Sequence, residues 1–305
     1  MRDPRDLYEL DPDIPELSGA VLLHQFDGFM DAGSAGRALT EHLLEEFEPR
    51  VIARFDVDRL IDYRSQRPPM TFASDHWEDI ESPELAVRLM HDATGVPFLL
   101  LTGPEPDREW ELFAKAVQSL VERWGVHLTV GFHGIPMGVP HTRPLGVTAH
   151  ATREALLGED HQPWLNTLQV PGNISALLEL RLGQAGHDAM GYAVHVPHYL
   201  AQATYPSSSV RLLDAVTEAT GLELPGGPLL DAAESAEAEI TRQVENSNEV
   251  ADVVAALERQ YDVFTEAGNR RSLLAETTEH MPTADELGTE FERFLAEQSG
   301  RDQQN

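Results

Sequence analysis

Two aspartates and two glycines open the chain's first candidate for chemistry. In QFDGFMDAGSAG (Gln25–Gly36), Asp27, Gly28, Asp31 and Gly33 stand between an apolar run and a helical pattern. Strand, glycine-rich turn and helix N-terminus is the arrangement that holds phosphates in α/β proteins. The spacing argues against that use. Gly28 and Gly33 match the lysine-bearing phosphate loop, but Ser34 stands where the lysine is required. Gly33 and Gly36 match the end of a dinucleotide fingerprint, but Asp31 takes its first glycine position. Two carboxylates about 5 Å from a phosphate would each cost on the order of 1–3 kcal/mol. The stretch then reads as a tight turn in which Asp31 or Ser34 caps a helix. The other reading is a polar pocket at the carboxyl edge of the sheet.

Three further segments carry polar groups. GFHGIPMGVPHTRP (Gly131–Pro144) is stiff with glycine and proline and presents His141, Thr142 and Arg143. Arg143 could grip an anion with its two-pronged guanidinium, or simply pair with one of the many carboxylates. GHDAMGYAVHVPHY (Gly186–Tyr199) carries His187, His195 and His198. No helical ligand pair accompanies them, so satisfied or surface histidines or acid–base chemistry are expected, not a metal site. DYRSQRPPM (Asp62–Met70) places Arg64 and Arg67 in a proline-bearing loop, a setting for the rim of a site or an interface. No serine is framed as a nucleophile elbow. No cofactor is expected.

The elements that must position these groups follow from hydrophobic spacing. GAVLLHQF (Gly19–Phe26) is apolar throughout, as in a buried central strand. Ala35, Leu39, Leu43 and Phe47 form one helical face, and Pro49 ends it. RVIARFDVD is a strand, and residues 59–72 are a loop. Residues 84–103 form two strands around a turn at Ala93–Gly95. A helix over 107–125 closes on Gly125, strands follow near 126–134 and 144–151, Asn173 caps the next helix, and a last strand ends at Pro197. This alternation predicts a layered α/β/α domain with a mainly parallel sheet. Past Pro228 the strand signal stops. Val250, Val254, Leu257, Tyr261 and Phe264 step by 4, 3, 4 and 3, a heptad-like seam, and a second helical piece is expected over 283–297. The expected organisation is an irregular lead-in (1–18), an α/β core (19–225), a helical appendage (226–298) and a flexible tail (299–305).

Composition narrows the function classes. The chain has 305 residues, a net charge of -30 and no cysteine. Disulfides, thiolate metal sites and thiol catalysis are excluded. So acidic a surface disfavours nucleic acid and anionic membranes as partners. Lys115 is the sole lysine, so any Schiff base must use it. No apolar run is long enough for a membrane helix, and the N-terminal residues lack a secretory pattern, so a cytoplasmic location is expected.

Taken together, FDGFMDAGSAG, DYRSQRP, GIPMGVPHTRP and the stretch from Val170 to Pro206 resemble the actinobacterial branch of the proteasome assembly chaperone 2 family. The resemblance implies a three-layer α/β/α core similar to nucleoside phosphorylases and peptidyl hydrolases, and assembly into homo-oligomers. Eukaryotic relatives are non-enzymatic chaperones that pair proteasome subunits, which implies proteasome subunits as partners. It assigns no catalytic residue. Two functions are therefore carried forward. One is an assembly-chaperone-like interaction factor. The other is an enzyme or small-molecule binder with a pocket at the sheet's carboxyl edge.

Overall fold

The computed structural model describes residues 3–17, 19–158 and 167–266. The chain divides into a main unit, Met1–His161 with Val170–Tyr261, and a second unit, Gln162–Gln169 with Asp262–Asn305. Of the second unit, residues 167–169 and 262–266 are described, the latter as helix. The expected helix over 283–297 and the tail lie outside the described residues.

Ten strands form among the described residues of the main unit: β1 (Tyr8–Leu10), β2 (Val21–Asp27), β3 (Arg50–Phe55), β4 (Met70–Ala73), β5 (His76–Ile80), β6 (Ala86–His91), β7 (Pro97–Pro104), β8 (Leu128–Met137), β9 (Val147–Ala151) and β10 (Ala189–Pro197). Eight of them make one sheet, in the order β1-β3-β6-β7-β2-β8-β10-β9, while β4 and β5 pair only with each other. The sheet is mixed, which corrects the mainly parallel expectation. The central β7-β2-β8-β10 strands are parallel. The pairings β1–β3, β3–β6, β6–β7 and β9–β10 are antiparallel. A short turn can only reverse the chain, whereas a parallel return needs a crossover helix. The turn between β6 and β7 is of the first kind.

The helices are α1 (Ala35–Glu46), α2 (Val57–Leu60), α3 (Trp110–Trp124), α4 (Ile174–Gln184), α5 (Pro206–Thr220), α6 (Gly227–Glu245) and α7 (Asn248–Glu266). They cover both faces of the sheet. Leu22, Leu99, Leu101, Phe113, Leu120, Leu178 and Leu182 share one core with α3 and α4. Leu23, Leu100, Val130, Leu39, Leu43, Leu212 and Val216 share the other with α1 and α5. Successive residues of β2 alternate between these cores, as the two-residue period of a strand requires. The three-layer α/β/α architecture with C-terminal helices is therefore present.

Two details differ from the sequence reading. Residues 4–10 are ordered as a 3₁₀ turn and edge strand rather than an irregular lead-in, because buried Leu7 anchors them in the first core. Residues 59–72 contain the end of α2 and then β4, so Pro68 and Pro69 stop short of a strand rather than forbidding one. No helix among the described residues is long and apolar enough to cross a membrane.

Candidate functional site

The helices after β2 and β7 leave toward opposite faces, since α1 lies in one core and α3 in the other. A crevice at the strands' carboxyl ends follows from such a reversal. It is lined by Gln25, residues 27–32, Ser34, Arg37, Pro136, Ala201 and Gln202, and holds about 300 Å³. Asp27, Gly28 and Asp31 are thus part of its lining, whereas buried Gly33 lies behind it.

Asp31 settles the cap question. Its Oδ1 accepts the Gly36 and Gly134 N–H groups and its Oδ2 accepts the Arg37 N–H, each at 2.9 Å. The helix amides that would cradle a phosphate are thus filled by the chain's own carboxylate. Burial pushes the Asp31 carboxyl above its ordinary value, against the pull of the three N–H groups. Ser34 makes no cap bond and sits in the left-handed region with φ 50°. Gly33 also has positive φ, 68°, and bridges to the 201–205 segment through Gly33 N–H to Ala201 O and Tyr205 N–H to Gly33 O, both 2.8 Å. A Cβ there would lie 3.1 Å from Val196 and 3.2 Å from Tyr205, tighter than ordinary contact, so both the backbone angle and the space favour glycine. Asp27 is exposed and accepts from Arg37 Nε at 3.1 Å. A Cβ on Gly28 would collide with Glu105, whose carboxylate accepts the Phe29 and Ile174 N–H groups. Glu105 thereby clamps the turn to the start of α4, a role that nothing in its sequence surroundings signals.

The second group gathers around Tyr199. Its hydroxyl accepts the His141 N–H at 2.8 Å and shares a 2.7 Å hydrogen bond with His141 Nδ1. Burial lowers the His141 pKa, while Glu237 and Glu258 act in the opposite direction. Exposed His198 sets its ring edge-on to Tyr199. Thr142 Oγ1 donates to Glu258 Oε1 at 2.5 Å, and Arg143 Nη1 reaches the same oxygen at 3.2 Å. Arg143 therefore pairs with a carboxylate of α7. Tyr261 of α7 donates to the Pro144 carbonyl. The heptad-like seam thus turns Val254, Leu257 and Tyr261 inward, while Val250 is exposed and the Phe264 side chain lies outside the described residues. The loop carrying these groups begins after Met137. The first half of the Gly131–Pro144 segment, including His133, belongs to β8.

The remaining residues scatter. His187 precedes β10, at the opposite sheet edge, and lies 3.4 Å from Glu122. Arg64 and Arg67 are exposed. Their loop is fastened through Asp62, Ser65 and Gln66 to Asp107. His195 shares a 2.8 Å hydrogen bond with Thr148, and burial lowers its pKa to about 4.

A histidine row was not anticipated. Strand register aligns His24 of β2, Gly131 of β8, Gly191 of β10 and His150 of β9. The His24 ring lies over Gly131, where a Cβ would come within 2.5 Å, and the His150 ring lies over Gly191, within 2.4 Å. His24 is 2% exposed and its Nδ1 has no hydrogen-bond partner among the described residues. Burial, then His150 and His133, lower its pKa to about 3, and burial with His150 lowers that of His133 to about 4. The two glycines at the notches are the only prior signal, and only strand pairing gives them meaning.

Known proteins with this architecture now bear on the site. The chain is similar to a Mycobacterium tuberculosis protein of unknown function, at 48% identity and TM-score 0.82, over 88% of this chain and 92% of that one. It is also similar to a Corynebacterium glutamicum protein of unknown function, at 38% identity and TM-score 0.81, over 86% and 99%. A M. tuberculosis proteasome-assembly chaperone homologue shares the fold, at 24% identity and TM-score 0.70, over 77% and 99%. No curated protein matches. The PAC2 family model spans residues 25–244, from the Asp31 turn through the Tyr199 group to α6, and the chain is a member of the PAC2 family, of the actinobacterial type.

Proposed function

We propose that the chain is a non-enzymatic, assembly-chaperone-like interaction factor that works as a homo-oligomer. The observation that carries this is the β4–β5 hairpin. Its strands pair Met70 with Ile80 and, across a register shift, Phe72 with Trp77, and all four of these apolar side chains are exposed. They have no core to cover: Phe72 is 55% and Trp77 63% exposed, and their rings meet edge-on at 5.0 Å. A lone two-stranded hairpin is marginal in water, and a clustered exposed apolar patch of this kind marks an interface. The occupant is a second copy of the chain. The exposed cations Arg64 and Arg67 stand just before the hairpin, and a chain of net charge -30 supplies carboxylates for them. Proteasome subunits are the partner class, by analogy with the relative named as a proteasome-assembly chaperone homologue.

Light scattering on the full chain tests the assembly: a multiple of 33.8 kDa is expected, falling to one chain in the double variant Phe72→Asp, Trp77→Asp. Equal masses for both proteins would remove the hairpin from the interface. Proteasome subunits should be enriched in native pulldowns over a mock bait. Parity with the mock would refute the chaperone-like reading while leaving the oligomer standing.

A further inference from the structure

We propose that the crevice at the carboxyl end of β2 binds a small zwitterion, a free α-amino acid or a ligand with the same paired ammonium and carboxylate. This goes beyond the interaction reading and does not depend on the hairpin. Size comes first. About 300 Å³ is at the lower end of ligand sites, enough for an amino acid and too small for a nucleotide. The charges come next. Asp27 and Arg37 face each other at the mouth through a single 3.1 Å contact to Nε. The rest of the Arg37 guanidinium fork remains available to a carboxylate, and Asp27 retains its second oxygen for an ammonium. A zwitterion laid against this pair matches both charges at once. A simple anion would meet Asp27, and a simple cation would meet Arg37.

The floor of the crevice supports the assignment. Gln25 is 3% exposed and lines it. Its Nε2 donates to the neighbouring Phe26 carbonyl at 3.0 Å, so the amide oxygen is the group left to accept a hydrogen bond. That oxygen suits an ammonium held beside Asp27. Asp31 plays no part in recognition, because both of its oxygens are taken by backbone N–H groups. Phe29, 63% exposed at the rim, and Met30 provide an apolar wall for a side chain. Ser34 and Gln202 offer further hydrogen bonds.

Titration calorimetry of the full chain with neutral L-amino acids, and with n-butylamine and butyrate as single-charge controls, tests this. Binding by at least one amino acid with Kd below about 10 mM is expected, with each control at least about tenfold weaker. Arg37→Gln and Asp27→Asn each remove one charge from an exposed position, so the fold should persist, as circular dichroism can verify. Each should weaken the amino acid at least about tenfold. No binding across the panel, equal binding of a single-charge control, or unchanged affinity in both variants would overturn the assignment. The hairpin variants should bind the amino acid as the parent does, which separates a failure here from a failure of the oligomer reading.

Discussion

Asp31→Ala is expected to lower the unfolding free energy by about 2–5 kcal/mol. The variant removes the acceptor for three N–H groups at once. Two belong to the first turn of α1, where losing a cap costs about 1–2 kcal/mol. The third belongs to Gly134 in the interior of β8, where an orphaned donor costs about 1–3 kcal/mol. Gly134 packs closely on the Ala32 backbone, since a Cβ placed there would lie 2.1 Å from the Ala32 carbonyl oxygen. Asp31→Asn keeps an acceptor oxygen and should fall between parent and alanine variant. Urea midpoints measured at neutral pH decide the matter. A loss below about 1 kcal/mol for Asp31→Ala would show that the three N–H groups find other acceptors and that the carboxylate does not hold the fold.

The second large effect concerns acid. His24, His133 and His195 are kept neutral by burial, with folded-state pKa values near 3, 4 and 4 against an ordinary 6.5. A folded-state pKa below the unfolded one means that the unfolded chain binds more protons. Stability is then fully present above pH 6.5 and falls as the pH drops from 6.5 toward 4. At pH 5 each histidine forfeits about 2 kcal/mol, or about 6 kcal/mol for the three. Asp31 acts in the opposite sense, since its raised pKa favours the folded state on protonation. Relief of repulsion in a chain of net charge -30 also opposes the loss. Three buried imidazoles outweigh both, because repulsion among exposed carboxylates is screened by salt. Denaturant midpoints at pH 7.5, 6 and 5 should therefore fall steeply. His195→Gln should shallow that slope by about a third, one histidine of three. A midpoint that is flat or rising toward pH 5 would show that these rings do not remain neutral.

Both effects bear on how far the sequence could be read. Asp31 was visible as a capping residue, because a carboxylate just before an apolar-periodic run has a local geometric consequence. Its third partner was not visible, since Gly134 lies 103 positions away and meets it only when β8 lies beside β2. Arg143 was legible as an ion-pair former in an acidic chain, but Glu258 could not be singled out among 52 carboxylates. The histidines show the limit from the other side. His187 and His195 lie eight positions apart in one segment, yet the intervening strand carries them to opposite edges of the sheet. His24 and His150 are far apart in the chain, yet they flank the same pair of glycines. The hairpin escaped notice because two prolines precede it and charged residues break its alternation.

The sequence by itself determined the local elements, the α/β class, the C-terminal helical character, the absence of thiol chemistry and a resemblance specific enough to identify the family. Each of these rests on short-range periodicity, on residue type, or on motifs that survive without knowledge of contacts. Tertiary structure alone decided that the sheet is mixed, that Asp31 faces the protein's interior bonds while Asp27 faces an open crevice with Arg37, that α7 is latched to the His141–Pro144 loop, and that four apolar side chains stand exposed on a hairpin. Those facts depend on strand order and register, which bring distant residues to one place, and a sequence pattern with a period of two or 3.6 residues carries no information about its neighbours.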